Sequence, residues 1–405
     1  LKNRCIECKG KGLCGRARCP ILEKFRATTK HSPQKQGEKT IFGASPPAVF
    51  VGRYGYPEVS AGPMIPPLME SEDAAQLEDP HALLGMGIDD IIQKRCQLVR
   101  ANTTVKVKQF EKSRLIEKAQ EMALSRKPVD TEVLLSKPLK PAQKFDGVLT
   151  PMGPAGKMER FDIAENPKVP DKVDYLTYDT DVKATDAALE LYDHDIGCEH
   201  ITRLLSIGLL GQERKLVPTR WAITATDDMV GKELAKGLLD YPEIEDIQLY
   251  SGGSLGNHFE ILLIPRSYSF ELLELWMART VWSADKAWIG QDMEGTSGKK
   301  GYSTLAGGYY AARLPVLEKL ESIRKQAAVF AIREITPDYW APLGVWVVRE
   351  AARNALSTEP AFFETLEEAL MDMKTRINTP FYQWREKSEL LPYVKEQTTL
   401  SRFLS

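Results

Sequence analysis

Four of the six cysteines stand within the first nineteen residues, at Cys5, Cys8, Cys14 and Cys19. The spacing is C-x2-C-x5-C-x4-C, and Gly10, Gly12 and Gly15 between the thiols let the backbone turn tightly around a common point. So short a head cannot bury a core of its own, and a bound metal supplies the missing folding energy. In a chain from a reducing compartment, clustered cysteines read as a metal site before a disulfide framework. Four thiolates suit a structural Zn²⁺, tetrahedral and closed to substrate. An iron–sulfur cluster takes the same ligands and is the lesser reading. Lys9, Lys11, Arg16 and Arg18 lie among the ligands, where a knuckle can present them to phosphate.

The remainder is long enough, in a chain of 405 residues, for two or three domains. At 43% hydrophobic residues it has a globular composition. No apolar run approaches the roughly 20 residues of a membrane span, and no basic-then-apolar leader opens the sequence. A cytoplasmic protein with no membrane contact is expected. The net charge of −2 conceals local bias. Residues 1–39 carry eleven Lys/Arg against three Glu, and residues 94–144 carry thirteen against five acids. Residues 159–199 reverse this, with twelve acids against four bases. Basic segments beside an acidic one point to phosphate partners such as DNA and to a charged pocket, with a merely solvated face as the plainer alternative.

Beyond the head, the run Phe42-Gly43-Ala44-Ser45-Pro46-Pro47 leads to a short buried strand at 49–51. Gly/Pro punctuation as far as residue 67 reads as too broken for long elements. Within it, Arg53, Tyr54 and Tyr56 are candidates for phosphate contact and base stacking, or else tyrosines packed into an irregular loop. Helices are expected over 88–99 and 110–125, and the prolines between residues 138 and 154 mark a domain boundary. Further on, helices are expected over 185–192, 196–210 and 269–280, and strands over 221–225, 244–250, 258–264 and 327–334. Asp227 and Asp228 are expected to cap a helix beginning at residue 229. Such alternation implies an α/β or α+β body in two parts. The expected domains are a zinc knuckle and connector over 1–40, a basic Gly/Pro-rich and helical domain over 41–150, a mixed domain over 151–390 and a tail over 391–405.

One acidic cluster invites a catalytic reading. If residues 193–200 are helical, Asp195 and Glu199 share a face with Asp193 nearby, and Asp227 and Asp228 can join them in space. Such carboxylates can hold Mg²⁺ or Mn²⁺ for phosphodiester cleavage, although charged surface is the simpler account. Two Gly-rich stretches, at 252–256 and 295–301, lack the phosphate-loop pattern, and only Lys299 and Lys300 in the second invite a phosphate.

The last residues read Gln397-Thr398-Thr399-Leu400-Ser401-Arg402-Phe403-Leu404-Ser405. Gln397, Leu400 and Phe403 at intervals of three suit one 3₁₀ turn, which would show Leu400, Phe403 and Leu404 as a single apolar plug. The pattern resembles the box by which replication and repair proteins bind the sliding clamp, PCNA, with Leu404 standing where such boxes carry a second aromatic residue. The cysteine head, the segment Val51-Gly52-Arg53-Tyr54-Gly55-Tyr56-Pro57 and this tail together resemble the archaeal Nre family of DNA repair proteins. That resemblance implies an N-terminal C4-type zinc finger, a C-terminal clamp motif and a role in DNA damage repair, and it supplies no catalytic residues. Two functions follow: a repair factor that grips DNA and is recruited by the clamp, or a clamp-recruited metal-dependent nuclease.

Overall fold

The computed structural model describes residues 7–15, 18–30, 38–66, 69–139, 151–280, 283 and 286–396. Cys5, Arg16 and the tail anchors Gln397, Leu400, Phe403 and Leu404 lie outside these. The fold is α+β, in two compact units: Leu1–Lys11 with Arg18–Val230, and Gly12–Ala17 with Gly231–Ser405.

The first unit opens with helix α1 (Pro20–Lys30), followed by strands β1 (Thr40–Ser45), β2 (Val49–Val51) and β3 (Glu58–Ile65). Helices α2 (Ser71–Gln76), α3 (Pro80–Leu84) and α4 (Ile88–Gln97) lead to β4 (Val99–Lys106), α5 (Arg114–Leu124), β5 (Val129–Leu135) and β6 (Ala155–Ile163). Four helices follow: α6 (Asp171–Tyr178), α7 (Ala184–Asp193), α8 (Cys198–Ser206) and α9 (Thr219–Leu238), the last of which belongs to the second unit from Gly231 onward. The strands form one mixed sheet, ordered β1-β5-β6-β4-β3-β2. Its apolar face, with Val59, Ala61, Ala101 and Val133, packs in one core with Ile116, Ala119 and Ala123 of α5 and Ile201 and Leu204 of α8.

Several expectations change here. The stretch before residue 67 contains an eight-residue strand, β3, despite Gly62 and Pro63. Its register with β4 skips those two residues: proline has no N–H to donate, and Gly62 admits the Ala101 carbonyl to 2.1 Å from where a Cβ would stand. The prolines after residue 138 do not separate two units, because β5 and β6 on either side of them pair antiparallel. Residues 221–225 are not a strand, and Asp227 and Asp228 cap nothing; all lie within α9. That helix starts after Pro218, whose carbonyl accepts from the Trp221 and Ala222 amides at 2.7 and 3.0 Å. Ala222, Thr226 and Val230 are then buried at intervals of four, the helical period.

The second unit holds β7 (Ile247–Ser254), β8 (Asn257–Ile264), β9 (Ser269–Trp276), β10 (Trp288–Glu294), α10 (Gly307–Ile323), β11 (Ala328–Ile335) and α11 (Trp346–Leu356). It ends with β12 (Ala361–Phe363), α12 (Leu366–Met373), α13 (Phe381–Lys387) and α14 (Leu390–Glu396). Its sheet runs β10-β9-β11-β8-β7-β12, with β9 and β11 parallel and the other pairs antiparallel. Residues 269–280, expected as a helix, contain the inner strand β9. Phe270 and Leu272 join the core that includes Ala311 and Val316 of α10, while Leu273 and Leu275 join the opposite one with Leu390 and Val394 of α14. Leu391 and Val394 are buried, so residues 391–396 belong to the body and not to a tail.

Candidate nucleic-acid interface

The connection from β2 to β3 is the most exposed aromatic feature among the motifs singled out above. Gly52 donates its N–H to the Ser60 carbonyl at 2.8 Å, and Glu58 donates to the Gly55 carbonyl at 3.0 Å, closing a turn at the end of a short hairpin. Gly55 has φ +84°, and a Cβ there would stand 2.7 Å from the Glu58 carbonyl oxygen, so only glycine fits. This turn pushes its side chains into solvent: Tyr54 is 71% exposed and Tyr56 50%. The Arg53 guanidinium lies over the Tyr54 ring, 5.2 Å from its centroid, and Tyr56 meets Trp221 of α9 with ring centroids 5.3 Å apart and planes at 54°. Trp221 is itself 45% exposed.

Three segments distant in sequence are fastened together at this place. The Val51 amide donates to Thr219 Oγ1 at 2.9 Å, fixing the start of α9 beside β2. The Val107 amide donates to the Pro57 carbonyl at 2.9 Å, and the Leu216 amide donates to the Val107 carbonyl at 2.9 Å. Exposed Lys106 and Lys108 flank buried Val107, and exposed Lys215 and Arg220 flank the start of α9. Glu58, opposite Lys106 in the β3–β4 register, Glu111 and Glu213 are the nearby acids in sequence. The sequence alone gives Arg53, Tyr54 and Tyr56. It misses Trp221, whose apolar neighbourhood resembles a strand and whose ring partner lies far back in the chain.

The other candidates are placed as follows. Cys8 is buried, Cys14 and Cys19 are half-buried, and no disulfide forms among the described cysteines. The Lys11 amide donates to the Cys8 carbonyl at 2.8 Å, and left-handed Gly10 lies against Leu22 of α1. Cys19 stands just before α1, its carbonyl accepting from the Glu23 amide at 3.1 Å. The donor set and glycine turns suit a thiolate-bound ion, yet among the described residues no three of His, Cys, Asp or Glu are gathered to hold a metal. Lys9 and Lys11 are exposed, as phosphate contacts must be. Arg18 is held by both carboxylate oxygens of Asp89, at 2.6 and 2.7 Å, so much of its fork is already engaged.

The acidic residues do not come together. Asp193 ends α7, Asp195 has φ +59° in the connection, and Glu199 lies in the first turn of α8. All three are exposed, whereas Asp227 is buried within α9 and Asp228 half-buried. The shared helical face expected for Asp195 and Glu199 is absent because the segment breaks into two helices at residues 194–197. His200 beside them is buried; burial, and secondarily the Arg203 charge, push it down to about 2, so the ring is neutral. Arg203 donates to the Ala123 and Ser125 carbonyls at 2.9 and 2.8 Å at the end of α5, and burial lowers it to about 9. In the second Gly-rich loop Lys299 is bound to Asp292 and lies over the Tyr309 ring, so it is engaged inside the second unit.

Two family models match the chain: "Archaeal Nre, N-terminal" over residues 13–283 and "Archaeal Nre, C-terminal" over residues 294–403. The chain belongs to the archaeal Nre family. It is 41% identical over 403 residues to the DNA repair protein NreA of Archaeoglobus fulgidus, covering 99% of this chain and 98% of that protein. It is 37% identical over 395 residues to NreB of the same organism, covering 97% and 98% of the two chains. To NreA of Haloferax volcanii it is 37% identical over 367 residues, covering 88% and 87%. No solved structure matches it. The two Nre models meet near β10, inside the second structural unit. No helix among the described residues is long and apolar enough to cross a membrane.

Proposed function

We propose that this Nre-family chain is a DNA repair factor that binds DNA through basic surface and is brought to it by PCNA through Gln397, Leu400, Phe403 and Leu404. The observation that carries the repair role is similarity along nearly the whole chain to three proteins named as DNA repair proteins. DNA binding is supported by the basic residues of the first unit, where Arg53, Lys106, Lys108, Lys215 and Arg220 are exposed. The clamp role is supported by the spacing of the tail and by its attachment. Gln397 follows directly on α14, whose Leu390, Leu391 and Val394 are buried against the second sheet. The working location proposed is the cytoplasm. In the head, Cys5, Cys8, Cys14 and Cys19 are proposed to hold a structural Zn²⁺, which contributes local folding energy and takes no part in chemistry.

Titration calorimetry of the full chain against PCNA tests the recruitment reading. Phe403→Ala should cost about 2 kcal/mol, since an aromatic anchor in a desolvated pocket carries much of such an interface, and this equals roughly a thirtyfold loss of affinity. Unchanged affinity in that variant would place the clamp contact elsewhere.

A further inference from the structure

We infer that Tyr54, Tyr56 and Trp221 form a stacking platform for unpaired bases of single-stranded DNA, with Arg53 and its basic neighbours holding the flanking phosphates. The inference deepens the DNA-binding reading above and rests on it.

Tyr56 and Trp221 touch and are half exposed, and Tyr54, two residues before Tyr56 on the same turn, is 71% exposed; large rings left in solvent so close together mark a contact site. Its chemistry selects the partner. Each ring keeps a polar atom and a flat apolar face, the combination that stacks on any base regardless of sequence. Tyr56 and Trp221 meet at a 54° tilt and each still leaves about half of its surface in solvent, where a base can reach it. Duplex DNA offers such a platform nothing, because its base faces are already stacked in the helix. Unpaired or splayed bases offer theirs.

The surrounding charge is that of a phosphate track. Arg53 lies over the face of Tyr54 and donates from Nη2 to Tyr54 Oη at 3.5 Å, with no carboxylate paired to it among the described residues, so its remaining N–H groups are open to a phosphate oxygen. Lys106, Lys108, Lys215 and Arg220 lie on segments bonded to this same turn, and none makes an ion pair among the described residues. An apolar protein partner would not call for five exposed cations on the segments that carry and adjoin the rings. The place is also held rigidly: a glycine-dependent turn and the Val51–Thr219 hydrogen bond fix the rings relative to one another.

The test is fluorescence anisotropy of the full chain with a labelled oligo-dT of twenty nucleotides and with a duplex of the same length. The unaltered protein should prefer the single strand. Trp221→Ala and Tyr56→Ala should each weaken oligo-dT binding roughly tenfold while changing duplex binding less than twofold, and Trp221→Phe should restore most of the loss. Replacing Lys106 and Arg220 by Gln should weaken both probes and flatten the salt dependence. Folded Ala variants that bind oligo-dT as the unaltered protein does, or that lose both probes equally, overturn the platform while leaving DNA binding intact. An unaltered protein that prefers the duplex also overturns it. Failure of the unaltered protein to bind either probe removes the DNA-binding reading as well.

Discussion

His200 and Arg203 illustrate what single side chains do in the first unit. They are neighbours on α8, His200 buried and Arg203 half-buried, and they answer desolvation in different ways. Arg203 keeps its charge by donating to two carbonyls at the end of α5, where the helix leaves acceptors without partners and the macrodipole favours a cation. His200 instead stays neutral, lowered from its ordinary 6.5 to about 2 by burial first and by Arg203 second. Below pH 6.5 the unfolded chain takes up a proton at His200 that the folded chain refuses, so stability falls as pH falls. The slope is at most about 1.4 kcal/mol per pH unit, and it continues down to about pH 2. Urea denaturation of the first unit at pH 7 and pH 5.5 should show this loss, and His200→Gln should reduce it. Equal pH dependence in both proteins contradicts the assignment. Of the residues on the proposed interface, Arg53, Tyr54 and Tyr56 are legible from sequence because glycine and proline around them force a loop. Trp221 is not, since only folding brings it to Tyr56.

Among the elements, β9 shows most clearly why part of this fold hides from a sequence reading. Leu272, Leu273 and Trp276 have the spacing of a helical stripe, but both faces of β9 are covered by helices, so alternation in polarity disappears. The two central strands of the same sheet are easier. β8 and β11 appear as apolar runs bounded by turn residues, and both lie within a residue or so of their expected positions. The sheet also carries buried carboxylates that hold the C-terminal helices down. Glu334 accepts from the Asn378 and Thr379 amides at 3.0 and 2.8 Å, and from the Asn378 amide group and Thr379 hydroxyl at 2.8 and 2.7 Å. Glu271 accepts from Ser388 Oγ at 2.5 Å and from the Glu389 amide at 2.7 Å, while burial keeps its own pKa raised. For Glu260, burial pushes upward, but hydrogen bonds from His258, Arg376 and Ser251 outweigh it and hold the carboxylate below its usual range. Glu334→Ala should destabilise the second unit by about 2 kcal/mol, since four donors lose a charged acceptor. Glu334→Gln should cost less because one acceptor oxygen remains. Thermal melts in which the two variants match the unaltered chain would show that the clasp contributes nothing.

At the scale of the whole molecule, the proposed arrangement is a body that meets DNA and a tail that meets the clamp. Glu271 receives the backbone of residues 389–390 at the start of α14, and Leu391 and Val394 of that helix are buried. Deleting residues 397–405 should therefore leave the melting temperature unchanged. Deleting residues 391–405 should strip two buried side chains from the sheet and cost about 3 kcal/mol or more. Equal stability of the two truncated chains would contradict the placement of α14 in the body. The central claim, delivery of this chain to DNA by the clamp, is tested most directly by its retention on nicked circular DNA with and without loaded PCNA. The full chain should be held far more strongly when the clamp is loaded, and removal of residues 397–405 should reduce retention to the salt-sensitive level of bare DNA. Retention that is indifferent to the clamp, or equal for the full and shortened chains, would contradict it.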